Sequence, residues 1–353
     1  MTLTINTNIS SLVAQRNLNS ATNSLNLAME RMSTGYKINH AKDNAAGYSI
    51  ADTWDTQISS LSIANDNAST GVDMLTTAEQ SYGLLTEHLQ RIRDLSEQAS
   101  NGTFGSASLK AIQSEIYARL QEIDRISANA EFNGIKLMSF KDADGADNTG
   151  IGITENGLDL QVGLYSETDS MIHLDIDLFK SGAVSALFAG GSVQITTRNA
   201  DGDPQTETVE LTKLFKDAGG GNDMSSLNTQ NGLKALAAAC SGLVYDKDKD
   251  TYTLLSDVEG SKGASAMIGF IDNAIDNISL RVTKIGAAQN RVASAISGID
   301  IQSQNLVSSL STLRDTDVAS ESSNYIQAQI LQQASATLLA TANQTPSIAL
   351  NLL

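Results

Sequence analysis

The chain has 353 residues, 41% hydrophobic but only 5% aromatic, a formal net charge of −17 and one cysteine, Cys240. Burial must therefore rest on Leu, Ile, Val and Ala, the residues of long packed helices, and no internal disulfide can staple the fold. The clustered Lys and Arg that a phosphate backbone demands are missing, which excludes nucleic acid as a partner, and no apolar run of about 18 residues offers a membrane span.

The chain opens with a polar start, "MTLTINTNISSLVAQRNLNS". It lacks the basic end and unbroken apolar core of a secretory leader, so any export must read a polar, weakly structured beginning. Ile5, Ile9, Leu12, Leu18, Leu25 and Met32 then recur at helical spacing until Gly35. Residues 1–42 carry four basic side chains against Glu30 alone. Steps of four and three from Trp54 reach Ile58, Leu61, Ala68, Val72 and Leu75. After a slip they reach Tyr82, Leu85, Leu89, Ile92 and Ala99, which predicts a long helix on the order of 80 Å. A third helix is predicted from Ile112, Ile116, Leu120, Ile123 and Ile126.

Beyond it the period changes to two. Leu158, Leu160, Val162 and Leu164, then Ile172, Leu174, Ile176 and Leu178, alternate with polar residues and predict a hairpin with one buried face. "GSVQITTRNADGDPQTETVEL" predicts a second hairpin turning at Asn199 to Pro204, "SSLNTQNGLKALAAACSGL" a helix, and "LVYDKDKDTYTLLS" a third strand pair. Residues 141–260 hold 20 acidic against 8 basic side chains, a solvated surface.

The strongest pattern follows. Ile271, Ile275, Ile278, Val282, Ile285, Val292, Ile296, Ile299, Leu306, Leu310 and Leu313 mark a coiled-coil seam, with Gln289 and Ser303 at the two polar steps. Neither long stripe can be buried alone, so the two helices pair. The last segment, with Tyr325, Ala328, Leu331, Ala334 and Leu338 before Pro346, is amphipathic but poor in bulky residues, and such helices are marginal in isolation.

The expected fold is mainly α with an inserted α+β domain. The N- and C-terminal segments form a long antiparallel coiled-coil rod, with β-hairpins and a small outer domain at its tip. Its expected parts are a terminal helix segment 1–43, rod helices and hairpin 44–177, an inserted domain 178–261, the C-terminal rod helix 262–317 and a terminal helix segment 318–353.

Catalytic patterns are missing from this plan. His40, His88 and His173 lie far apart without an HExxH spacing, Cys240 sits in the apolar "LAAACSGL", and no phosphate loop ends in Lys-Ser or Lys-Thr. "DADGAD", with Asp142, Asp144 and Asp147, resembles a calcium loop, as does "DKDKD", with Asp246, Asp248 and Asp250. The second has Thr251 in place of the sixth-position glycine and Asp257 in place of the twelfth-position Glu, and polar turns account for both. No enzyme and no cofactor are expected.

The stretches "INTNISSLVAQRNLNSATNSLNLAMERMSTGYKINHAKDNAAGYSIAD", "LQRIRDLSEQASNGT", "RISANAEFNGIKLM" and "NYIQAQILQQASATLLATANQTPSIALNLL", in that order, resemble bacterial flagellin. The resemblance covers roughly residues 1–180 and 262–353. It implies a structural subunit that polymerises into the flagellar filament, leaves through the flagellar type III apparatus and is secreted into an extracellular polymer. The terminal helices would form an inner tube and residues 178–261 would face outward. The flagellin-related hook-filament junction protein is the alternative. The implied partners are copies of the same chain, the filament cap and hook-associated junction proteins, an export chaperone at the C-terminal segment, and the host Toll-like receptor for flagellin. Gln90, Arg91, Arg93, Leu95 and Glu115 match the family's receptor-recognition and subunit-contact surface, with Asp94 standing where Glu is more usual.

Overall fold

In the computed structural model, residues 8–101, 103–138, 140–141, 147–148, 157–165, 170–188, 192–198, 204–211, 215, 227, 229–254 and 257–351 are described. The chain divides into two compact units, Met1–Ile63 with Ile299–Leu353, and Ala64–Gly298. Helices α2 (Ala45–Ser100) and α6 (Asp257–Arg314) contribute residues to both.

The first unit is built on α1 (Ile9–Thr34) and α7 (Val318–Asn351). Asn8 caps α1 by accepting the Ser11 N–H at 3.1 Å. Gly35 ends it in the left-handed region at φ 77°, returning its N–H to the Arg31 carbonyl. Asp317 caps α7 through the Ala319 N–H at 2.9 Å. The two helices are antiparallel. Ser11 Oγ meets Asn343 Oδ1 at 2.7 Å, Thr22 meets Gln332 at 3.2 Å, and Arg31 lies 4.0 Å from Glu321.

Their seam is made of small residues spaced by seven. Ala14, Ala21 and Ala28 are buried on α1, and Ala328 and Ser335 on α7. Of the apolar residues that the sequence places at helical spacing, Ile9 and Leu12 are exposed and Leu18, Leu25 and Met32 only half-buried. Alanine lets two helix backbones approach closely, and the bulky residues then point away.

At the base of this pair, Tyr36 bridges Asp315, the Lys37 N–H donates to the Arg314 carbonyl at 2.7 Å, and the Thr316 N–H donates to Gly35 at 2.9 Å. The Arg314 guanidinium lies 4.3 Å from the centre of the Tyr36 ring and donates to Asp55 at 2.8 Å.

The second unit packs α2 and α6 antiparallel, since Arg93 on α2 pairs with Asp272 at 2.6 Å while Gln289 donates to Glu79 at 2.9 Å. Helix α3 (Ser106–Asn129) completes a core with Leu75, Leu85, Leu89 and Ile92 of α2, Ile116, Leu120 and Ile123 of α3, and Ile271, Ile278 and Ile285 of α6. Strands β1 (Glu131–Phe132) and β2 (Ile135–Lys136) turn at Asn133 and Gly134, both at positive φ. β3 (Phe140–Lys141) pairs with β4 (Asp147–Asn148).

β5 (Leu158–Gln161) pairs antiparallel with β6 (Met171–Leu174), Leu158 opposite Leu174. Leu160 reaches α2 at Gly71, where a Cβ would stand 2.5 Å from its Cδ1. The expected strand does not continue through Ile176 and Leu178. Those residues form a 3-10 turn, Ile176–Phe179, because the Asp175 carboxylate accepts the Asp177 N–H and bends the chain.

The following segment straps across three helices. Tyr82 of α2 donates its hydroxyl to the Lys180 carbonyl at 2.6 Å. Arg281 of α6 donates to the Ser181 carbonyl at 2.9 Å. Asp124 of α3 accepts the Val184 N–H, at the start of α4 (Val184–Leu187), at 2.8 Å.

β7 (Ser192–Arg198) and β8 (Pro204–Glu210), α5 (Gln230–Cys240), β9 (Leu243–Asp246) and β10 (Thr251–Leu254) follow as the sequence predicts. The sequence sets residues 178–261 apart as a small domain. In the structure their buried side chains, among them Phe179, Val184, Phe215, Leu236 and Leu243, join the core of the second unit. Two-stranded hairpins and short helices bury too little apolar surface to be stable alone.

Candidate assembly and recognition surfaces

Two surfaces stand out. The first is on the α1–α7 pair. Around its alanine seam, Ile9, Leu12, Val13 and Met29 of α1 and Ile326, Ile330, Leu331 and Leu338 of α7 are between 49% and 68% exposed. A shallow groove of about 630 Å³ follows the seam, lined by Ser20, Ser24, Leu27, Gln327, Leu331 and Leu338 among others. A water-facing apolar surface of this extent marks an interaction site.

The second is the α2–α3 face, where the candidate residues separate by depth. Gln90 is exposed and Arg91 half-buried. Arg91 Nε donates to Glu115 Oε1 at 3.0 Å, joining the helices. Arg119 Nη2 lies 3.8 Å from the same oxygen, and its Nη1 lies 3.3 Å from His88 Nδ1. Arg125 pairs with Glu122 one turn further along α3.

Arg93 faces α6 through Asp272 and also lies 3.5 Å from Glu97, one turn on along α2. Leu95 is not on the face at all; it is 2% exposed in the core beneath it. Burial follows from its place in the α2 stripe, three residues after Ile92.

The apolar positions of the long-helix seam are buried to different depths. Ile271, Ile278, Ile285 and Val292 are buried and Ile275, Val282 and Ile296 half-buried in the second unit. In the first unit, Ile299 is buried and Leu306, Leu310 and Leu313 are half-buried.

The groups with chemical potential are held apart. His40 lies 2.9 Å from Glu30, His173 2.7 Å from Asp159, and His88 beside Arg119. Burial pushes the Cys240 thiol up to about 12, which leaves it a poor nucleophile. Among the described residues, no group of three His, Cys, Asp or Glu side chains could hold a metal. In the second calcium-like stretch, Asp250 is taken by Lys234 at 2.7 Å and by the Tyr245 hydroxyl at 2.9 Å, while Asp246 caps the turn at Asp248. Asp142 and Asp144 of the first lie outside the described residues, as does the side chain of Asp147. Among those described, no helix is long and apolar enough to cross a membrane.

Residues 5–142 match the family model for the bacterial flagellin N-terminal helical region, and residues 268–353 that for the C-terminal helical region. Polar flagellin F of Vibrio parahaemolyticus is 32% identical over the whole of both chains. The chain belongs to the bacterial flagellin family. Flagellins D and C of Vibrio anguillarum are 33% and 34% identical, again across the full length of each. A solved FliC structure from Burkholderia pseudomallei covers 63% of this chain at a TM-score of 0.34 and 18% identity. This flagellin is a structural subunit of the flagellar filament. The two family models take in α1, α2, α3 and α7 and most of α6, leaving the acidic stretch between residues 142 and 268 outside both.

The sequence reading missed the partners that cross between elements: Arg119 and His88, Asp124 and Val184, Arg281 and Ser181. Its period analysis followed apolar residues, and these are polar. The one available signal was the recurrence of Ala14, Ala21 and Ala28 every seven residues.

Proposed function

We propose that the α1–α7 pair is an incomplete fold that neighbouring subunits complete, forming the inner tube of the filament. The observation that carries this is the inversion of the pair, with alanine inside and Leu12, Ile330 and Leu338 outside. Burying each such side chain is worth about 1.5–3 kcal/mol. The alanine seam alone buries too little apolar surface to offset the ordering of two helices. Assembly supplies the rest.

The excess of acidic side chains in residues 141–260 favours a solvent-facing role for that stretch. The Gln90, Arg91 and Glu115 face contacts neighbouring subunits, and on the free subunit it is open to the host Toll-like receptor for flagellin. The family membership supports export through the flagellar type III apparatus, with the chaperone taking the exposed apolar face of residues 318–353 before assembly and the filament cap and hook-associated junction proteins receiving the same ends.

Substituting Leu12→Asn together with Leu338→Asn tests the reading. The expected outcome is an unassembled chain with an unchanged melting transition of the second unit and at least a tenfold higher critical concentration for polymerisation, visible in electron micrographs. Filaments forming at the wild-type concentration would overturn it.

A further inference from the structure

The α2–α3 face contains a chain of four side chains with unequal roles. A guanidinium can only donate, so the 3.3 Å contact from Arg119 Nη1 requires a lone pair on His88 Nδ1. His88 is therefore neutral here, with its proton on Nε2. Arg119 is in turn poised 3.8 Å from Glu115 Oε1, the oxygen that already accepts from Arg91 Nε at 3.0 Å. One guanidinium thus stands between an imidazole and a carboxylate.

We infer that His88 and Arg119 are positioning residues for Arg91: protonating His88 turns Arg119 away from the imidazole and onto Glu115, where it displaces Arg91 from its partner. Protonation places an N–H and a positive charge against the guanidinium, so the contact becomes repulsive. The carboxylate within reach of Arg119 is that of Glu115, 3.8 Å away and one turn back on its own helix, for which it then competes with Arg91.

The charged surroundings agree. On α3, Arg119 and Arg125 oppose a cation at His88 and Glu122 favours it; on α2, Glu87 favours it. Burial is the largest influence and, with the arginines, holds His88 below the usual histidine range. The relay therefore stays in its Arg91–Glu115 state near neutrality and switches on acidification. It rests on the reading above only in giving this face a contact role.

The test is side-chain NMR on the full-length, unassembled chain, following the Arg91 Nε–H resonance and the His88 ring together from about pH 7.5 to about pH 5. In the wild type, the Arg91 resonance is expected to shift with the midpoint of the His88 ring. His88→Asn supplies an acceptor that cannot titrate, so Arg91 should stay at its neutral-pH position throughout. Arg119→Met leaves His88 free to titrate but should leave Arg91 unmoved. An Arg91 resonance that does not move in the wild type, or that moves equally in either variant, overturns the inference. Because no polymer is present, these results are independent of the contact reading. Polymerisation that ignores pH while the relay works would count against that reading alone.

Discussion

Asp124 accepts the backbone N–H of Val184 at 2.8 Å from a half-buried position on α3, and so fastens the strap between β6 and β7 to the helical core. Burial, only partly opposed by that hydrogen bond, raises its carboxyl from 3.8 to about 6. A carboxyl raised in the folded state binds its proton more tightly there than in the unfolded chain. Its contribution thus favours folding most at low pH and declines as pH rises from about 4 to about 6. Asp124→Asn keeps an acceptor for Val184 without the charge. It should stabilise the second unit by up to about 3 kcal/mol at pH 8 and by nothing measurable at pH 4, in thermal unfolding followed at both.

Leu95 and Arg91 should separate cleanly. Leu95 is 2% exposed, so Leu95→Ala opens a cavity and should cost about 2–5 kcal/mol in denaturant unfolding. The Arg91 side chain is 42% exposed in its pair with Glu115, and Arg91→Ala should change stability by less than about 1 kcal/mol. A loss of assembly or receptor signalling in Arg91→Ala at unchanged stability would come from the face; in Leu95→Ala it would follow from unfolding.

Arg281 holds the strap from the other side. It donates to the Ser181 carbonyl at 2.9 Å and to Lys180 at 3.2 Å, and its guanidinium lies 5.9 Å from the Tyr82 ring centre. Arg281→Met should cost about 1–3 kcal/mol. It should also speed amide exchange in residues 181–188 more than in α3, read by mass spectrometry.

How much of this was legible in the sequence depended on whether a feature is local or made by distant contacts. The helices α2 and α6 and the hairpins announced themselves, because apolar residues at spacings of 3.5 or 2 need a buried face whatever else happens. Ile176 and Leu178 obeyed the strand period and still formed a 3-10 turn, since one hydrogen bond from Asp175 redirected the backbone. The terminal helices inverted the rule: small residues went inside and large ones outside, an arrangement that the proposed assembly accounts for. Arg119, Asp124 and Arg281 drew their partners from other elements, and no one-dimensional pattern places those opposite one another.

The central claim is that the α1–α7 pair gains its cohesion from identical neighbours. Amide hydrogen exchange across residues 9–34 and 318–344, compared between dilute unassembled chain and polymer, tests it most directly. Exchange within seconds in the free chain and strong protection in the polymer is the expected result, with the second unit protected in both. Equal, strong protection of the terminal helices in the free chain would contradict the account.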